Sequence, residues 1–376
     1  VVEGKARAAL HAPGIIAAAE PQLGYSHAVG WDVIVAGTGA MGASACWQLV
    51  QRGARVLGLD RYGVPNAQGS SHGLTRAYRL AYFEHPDYVP LLERALAGWR
   101  GLEAQAGEGL LTLTGGLYLG RPGSEVVAGT LSAVQLHGLE HERLEAPAVR
   151  ARWPQFSVPD GFAAVTEQYA GILRVEASLS ALARLATAAG AELRTERVRG
   201  WSAQPGGVEV RTDAAAYRAD QLVLCPGAFA AELLQTDAVR ITPTRQVVGW
   251  FEPLRPELAA PGRFPVWAAQ WPDGRLWYGF AALPGSPGLK LGSHRPGAAV
   301  DPATEPRTAT PQEEAELSAF AREWLPDDAG RLTRTSVCLY ENSPDGNFIL
   351  DRHPDHANVL IFCGGSGHGF KFAPVI

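Results

Sequence analysis

The first apolar signal along the chain is the unbroken run Val33-Ile34-Val35-Ala36, followed at once by Gly37. A short run without alternation, bounded by glycine, reads as a strand buried on both faces, as in a parallel sheet. A second such run, Val56-Leu57-Gly58-Leu59, ends at Asp60. Between them, Ala40 to Arg52 has a helical period, with Cys46 and Leu49 on one face and Gly53 as its stop. Further helices are predicted from about Tyr88 to Ala106, from Leu179 to Ala189 and from Pro311 to Trp324. Leu111 to Leu119 reads as a strand pair broken at Gly115-Gly116, and Ala191 to Tyr217 alternates like a meander. Leu222 to Cys225 is another buried strand, closing at Pro226-Gly227-Ala228. Strand-like runs at Gln246 to Glu252, Leu276 to Phe280 and Leu289 to Gly292 predict a second domain with an antiparallel sheet. The last strand, Asn358 to Cys363, leads into the glycine run Gly364 to Gly369, where a second helix is expected to start.

Gly37, Gly39 and Gly42 form G-x-G-x-x-G directly after the first strand. With a strand before, a helix after and Asp60 at the next strand end, this is a dinucleotide-binding fingerprint. Gly37 permits the tight turn, Gly39 lets the backbone approach a pyrophosphate, and Gly42 lets helix and strand pack closely. The phosphates then sit at a helix N-terminus, and Asp60 is placed to accept from ribose hydroxyls. The fold class expected is α/β, with a Rossmann-like domain and an antiparallel-sheet substrate domain (an α+β, two-domain arrangement). A polar, glycine-rich loop from Gly63 to Gly73 is long enough to serve a ligand.

The chain has 376 residues, 46% of them hydrophobic and 19% charged, which allows two domains with real cores. A net charge of -5 implies no strongly basic face and argues against nucleic acid as a partner. Cys46, Cys225, Cys338 and Cys363 lie far apart, with neither metal-ligand spacing nor a disulfide framework, so no metal is expected and a reducing cytoplasm fits best. No apolar run reaches transmembrane length, so no membrane partner is expected. Residues 1–30 fall outside the pattern. Their mild apolar stretch is broken by His11, Pro13 and Gly14, which suits a disordered extension better than a secretory signal.

Four segments carry a more specific likeness. They are Gly69-Ser-Ser-His-Gly-Leu-Thr-Arg76-Ala-Tyr-Arg79, with Tyr82 and Tyr88 to Leu91 beyond it; Tyr278-Gly-Phe280 leading to Gly288-Leu-Lys290-Leu-Gly-Ser-His294; Val337-Cys338-Leu-Tyr340-Glu-Asn-Ser-Pro-Asp345 with Phe348 to Asp351; and Gly365-Ser-Gly-His-Gly-Phe-Lys371-Phe. From Trp31 to Ile376 the chain resembles the monomeric sarcosine oxidase and N-methyl-tryptophan oxidase family, flavoenzymes that oxidise secondary amino acids. The resemblance implies FAD, joined covalently through Cys338 by a thioether. It implies that Arg79 and Lys371 grip the substrate carboxylate, a fork and a point charge respectively. Lys290 and Arg76 match a basic pair beside the flavin, Lys290 being expected to help reduced flavin react with oxygen. His294 and Tyr278 match residues lining the substrate pocket, while His72 and Tyr340 match positions next to the flavin. Gly367 and Gly369 belong to the second glycine run, whose helix would stabilise anionic reduced flavin. The implied substrates are an N-methyl amino acid and oxygen, the products the parent amino acid, formaldehyde and hydrogen peroxide, and the implied state a monomer. The FAD-binding domain would comprise residues 31–111, 167–242 and 338–376, and the substrate domain 112–166 and 243–337.

Each role has a plainer counterpart. Cys338 alone would read as a buried structural thiol, Lys290 as an outward residue on an edge strand, and each histidine or tyrosine as packing. Cys46, Cys225 and Cys363 keep that plain reading. Two departures from the family stand out. Leu74 replaces the usual acid before Thr-Arg, and the chain stops at Ile376, where the family continues through a helix and a tail, so that an inactive truncated flavoprotein is one alternative. The others are a different FAD amino-acid oxidase, such as a glycine oxidase or D-amino-acid oxidase relative, and a nicotinamide dehydrogenase.

Overall fold

The computed structural model describes residues 30–376, so the extension expected over residues 1–30 lies, but for Gly30, outside the described part. The opening unit forms as patterned: strand Trp31–Ala36, helix Ala40–Gln51, strand Val56–Asp60. Five parallel strands make the centre of the first sheet, in the order Glu192–Thr195, Val56–Asp60, Trp31–Ala36, Ala216–Leu224, His356–Cys363. Helices Ala40–Gln51, Val89–Ala106 and Val175–Ala188 cover one face, where Val33, Val35, Trp47, Trp99 and Leu179 share a core. On the other face Ile34, Leu57 and Leu59 pack with Trp201, Val208 and Leu233. Successive residues point to opposite faces and both faces are dry, which is why these runs do not alternate.

Two glycines of the fingerprint are demanded by the fold itself. Gly37 has φ +92, and a Cβ there would lie 2.2 Å from the Cys225 carbonyl oxygen. A Cβ on Gly42 would lie 1.8 Å from Gly37 O, so helix and strand could not close.

The second large sheet runs Ala329–Asn342, Thr242–Pro253, Leu289–Ser293, Leu276–Phe280, Val266–Gln270, Gly116–Gly120, Ala163–Glu167, Glu142–Glu145. It departs from the antiparallel expectation at one pair: Val266–Gln270 and Gly116–Gly120 are parallel. These strands are joined by a long excursion through the first sheet, so no hairpin sets their direction. Helix Pro311–Trp324 begins with a Thr310–Glu313 capping box and packs Phe320 and Trp324 against Trp267 and Phe156. The expected pair at Leu111 to Leu119 breaks at Thr114-Gly115, with Gly116 already in the second strand, and its parts join different sheets. Leu111–Leu113 enters a small three-stranded sheet with Gly171–Arg174 and Thr75–Tyr78.

The helix expected after the last glycine run is instead a single 3-10 turn, Phe370–Phe372. The Trp99 indole donates to Lys371 O at 2.8 Å, and Ile376 N donates to Phe372 O at 3.1 Å, a helix-type bond beyond the turn. Among the described residues no helix is long and apolar enough to cross a membrane.

Candidate active site

A long groove opens where the parallel strands end, lined by Gly37 to Met41, Asp60, Gly227 and the Tyr340–Glu341 pair. The helix Ala40–Gln51 starts there on Gly39, with no side-chain cap and no acid in its first turn. Only Ala40 N finds a side chain, Ser71 Oγ at 3.2 Å. A Cβ on Gly39 would meet nothing nearer than Ser71 Oγ at 3.6 Å, so packing does not require glycine there, and the added atom would intrude on the groove. Asp60 Oδ2 accepts from Thr38 N at 2.8 Å and Oδ1 from Tyr62 N at 2.9 Å, which fixes the carboxylate at the groove wall. Burial raises its pKa, and these amides resist. Uncapped N–H groups beside a fixed acid suit a pyrophosphate and a ribose diol in succession.

Further along, three groups from different elements converge on Gly73. A Cβ on that residue would lie 3.6 Å from Cys338 Sγ, 3.8 Å from Arg76 Nη1 and 3.8 Å from Lys290 Nζ. The convergence follows from the fold. Gly73 and Leu74 both have positive φ, +90 and +66, and their N–H groups donate to Glu176 on the neighbouring helix at 2.8 and 3.0 Å. This turns the Gly73 and Thr75 carbonyls toward Lys290, whose Nζ donates to them at 2.7 and 2.9 Å and to Thr75 Oγ1 at 3.2 Å. Lys290 is 1% exposed, on a strand at the middle of the second sheet rather than its edge. Burial and the Arg76 charge lower its pKa well below the usual lysine range. Three acceptors nonetheless match the three N–H bonds of an ammonium, and the sulfur beside it favours the charge.

Cys338 is buried, with Arg76 Nη2 at 3.8 Å and His72 Nδ1 at 4.0 Å from its sulfur. Burial pushes the thiol up, but the His72 hydrogen bond and the charges of His72, Arg76 and Lys290 outweigh it and bring the thiol down to about 6. The remaining cysteines behave oppositely. Burial pushes Cys46 and Cys363 up to about 12 and Cys225 higher still. Only one of the four is thus set up as a nucleophile.

A second cavity adjoins this point, lined by Arg76, Arg79, Tyr278, His294, Lys371 and aromatic side chains that include Trp267 and Phe83. Arg79 is buried over the Tyr82 and Phe83 rings, at 4.3 and 4.1 Å, and pairs with Glu84 through Nη2. Among the described residues its buried Nη1 has no partner, nor has Glu84 Oε2. Lys371 is 4% exposed and makes one hydrogen bond, to His368 O at 2.7 Å. Burial, then the charges of Arg79 and Arg76, lower its pKa well below normal. The Arg79 guanidinium and the Lys371 amine, with donors unused among the described residues beside an apolar cavity, form a receptor for an anion, whose charge would favour protonated Lys371. Burial pushes Glu84 up, but Arg79 prevails and holds it at about 2, against an ordinary 4.5. Stability from this pair is therefore present above about pH 4.5 and lost as the pH falls towards 2. Glu84→Gln lacks this contribution at every pH, so its acid-unfolding midpoint, followed by circular dichroism, should shift to higher pH, and its stability should vary less between about pH 4.5 and 2.

His294 Nδ1 lies 3.2 Å from the Tyr340 hydroxyl, and the Tyr278 ring meets His294 edge-on at 6.0 Å. Burial drops His294 to about 3 and raises both tyrosines, so all three are neutral at ordinary pH. Gly367 has φ +79 and lies against the Tyr340 ring, where a Cβ would be 2.3 Å from the ring edge. Gly369 borders the groove beside Met41. His368 is a packing residue, fixed between the Tyr82 hydroxyl and Gly346 O. Gly37, Gly39, Asp60, Arg76, Arg79, Tyr278, His294, Cys338, Tyr340, Gly367, Gly369 and Lys371 line the groove or the cavity; His72 and Lys290 stand beside Cys338 and Gly73, and Gly42 lines neither, being packed against Gly37 and Val35. Sequence reasoning missed Glu84 and Glu176, the acids that hold Arg79 and the Gly73–Leu74 turn. Glu84 follows Arg79 by five residues in an otherwise aromatic stretch, which was a usable signal; Glu176 is remote in sequence and gave none.

A parallel dinucleotide sheet that hands its groove to a cation-lined cavity under a second sheet defines a two-sheet flavoprotein. The chain belongs to the FAD dependent oxidoreductase family, whose sequence model matches residues 32–376. It is 40% identical to the monomeric sarcosine oxidase of Streptomyces avermitilis over 355 residues, covering 92% of this chain and 91% of that protein. It is 36% identical to the N-methyl-L-tryptophan oxidase of Salmonella dublin, covering 92% of each. Among solved structures it is similar to NikD, an unusual amino acid oxidase essential for nikkomycin biosynthesis, with TM-score 0.81 and 29% identity over 92% of this chain and 91% of that one.

Proposed function

We propose that this enzyme oxidises N-methyl amino acids of the sarcosine or N-methyl-tryptophan type. One amino acid, one oxygen and one water would give the demethylated amino acid, formaldehyde and hydrogen peroxide. The supporting observation is the pair of buried, under-bonded cations, Arg79 and Lys371, in the cavity that adjoins Cys338. Relatives over nine-tenths of the chain carry the names of such oxidases.

FAD, when bound, supplies the two-electron chemistry for both the amine and oxygen. The protein's part is positioning and charge. Gly37, Gly39, Gly42 and Asp60 would hold the pyrophosphate and ribose, and Gly367 and Gly369 would border the ring end. His72 and Tyr340 would flank the ring, and Cys338 would bond it. Arg79 and Lys371 would take the substrate carboxylate and so fix which carbon faces the cofactor. The same cations, with Arg76, disfavour a protonated amine, while neutral His294 and Tyr278 offer it no counter-charge. Lys290 would stabilise the negative charge that develops on oxygen.

Incubation of the FAD-loaded protein with sarcosine, N-methyl-tryptophan and L-proline tests this reading. Peroxide and formaldehyde in equal amounts from an N-methyl substrate support it. A yellow protein that makes peroxide from none of them overturns it. Cys338→Ser checks the tether separately. Acid precipitation should leave the yellow colour in the wild-type pellet and release it to the supernatant from the variant.

A further inference from the structure

Glu341 is absorbed by none of the roles above. It is the next-to-last residue of the strand Ala329–Asn342, directly after Tyr340, and lines the groove with the Gly37 to Met41 cradle. Its carboxyl lies over two glycines that follow strand ends. A Cβ on Gly365 would be 2.7 Å from Oε1, and one on Gly227 would be 3.2 Å from Oε2. The residue as a whole is partly exposed, because it borders the groove, but Oε2 itself is buried and has no hydrogen-bond partner among the described residues. An acid kept for structure would have both oxygens matched, because an unmatched buried oxygen carries its full desolvation cost.

The groups that face Glu341 do not neutralise it. Cys338 and Tyr340 lie on its own strand. Cys225, after the strand Ala216–Leu224, and Cys363, at the end of His356–Cys363, sense its charge, and both thiols are pushed up and stay neutral. It makes no ion pair among the described residues. Burial pushes its carboxyl up to about 7, with the Gly365 amide resisting only in part. An acid held without a cation retains its proton, and the proton makes it a donor.

We propose that Glu341 is a proton-carrying ligand of the cofactor, which would donate from its unmatched oxygen to an oxygen of the sugar–phosphate linker when FAD occupies this groove. The inference rests on FAD as the ligand of the groove and is independent of the substrate. Donation requires the protonated acid, so cofactor affinity is full below about pH 7 and falls as the pH rises above it.

The experiment uses the full chain carrying Cys338→Ser, in which no thioether forms, binding is reversible and the thiol does not titrate. FAD is added to the apoprotein, and binding is followed by quenching of flavin fluorescence at about pH 6 and about pH 8.5. With Glu341 present, Kd should rise about tenfold between the two. With Glu341→Gln, whose amide donates at any pH, Kd should be the same at both. Glu341→Met, of similar volume and without a donor, should bind weakly at both, with a far-ultraviolet circular dichroism spectrum like that of the parent. An equal pH dependence in the Gln variant overturns the proposal, as does unchanged affinity in the Met variant. Failure of the parent to bind FAD at either pH overturns it too, and points to the cofactor assignment as the cause.

Discussion

Arg79→Met should raise KM for an N-methyl amino acid by about a thousandfold while leaving kcat within a few-fold. Removing one partner of a buried, charge-assisted contact costs about 3 to 5 kcal/mol, and each 1.4 kcal/mol is a factor of ten. The carboxylate contact is made equally before and during the reaction, so its loss falls on KM. The substitution also strands Glu84, which Arg79 holds charged at about 2. A fall in thermal stability is therefore expected, and Arg79→Met with Glu84→Leu should recover the stability without recovering KM. Steady-state kinetics and calorimetry on both variants make the check. Arg79→Lys should not rescue binding, because a single ammonium cannot reproduce the guanidinium fork. An unchanged KM in Arg79→Met would place the substrate carboxylate elsewhere.

Lys290→Met should slow the reaction of reduced flavin with oxygen by about a hundred- to a thousandfold, the range seen when one preorganised donor to a developing anion is removed. Flavin reduction by substrate should change far less, because Lys290 bonds to the Gly73–Thr75 backbone and stands away from Arg79 and Lys371 in role. Stopped-flow measurement of the two half-reactions separates them, and equal losses in both would remove the oxygen role. The arrangement around Gly73 adds a second consequence. Lys290 is among the charges that lower the Cys338 thiol, so the variant should also attach its cofactor more slowly, visible as a larger share of FAD released by acid.

The parallel sheet was legible because its signals are local: Val33 to Ala36 and Val56 to Leu59 announce burial on both faces, and Gly37 and Gly42 are needed at once by turn and packing. The helix Pro311–Trp324 was read to the residue because Thr310 and Pro311 mark its start. Less was visible where pairing is remote. The strand that carries Cys338 spans Ala329–Asn342, yet its first half is polar and gives no strand pattern; it is held by register with Thr242–Pro253, nearly a hundred residues away. The helix Glu125–His137 was missed because it lies in a stretch without a clear period. The site residues themselves came from motif likeness. Their environment did not: nothing in the local sequence shows that Lys290 faces inward, that Arg79 stacks on two rings, or that Leu74 takes the left-handed conformation that a carboxylate on another helix fixes. Those are products of tertiary packing.

Lys290 reaches from inside the second large sheet to the carbonyls of Gly73 and Thr75, where the loop after the first sheet enters the small three-stranded one. The buried ammonium, the low-pKa sulfur and the loop that touches both are therefore brought together only when the sheet that carries Lys290 and Cys338 meets that loop. A chain in which only the parallel sheet had formed would present the glycine cradle and Asp60 without the cluster at Gly73. Packing of the two parts against each other is thus what composes the cluster around Gly73.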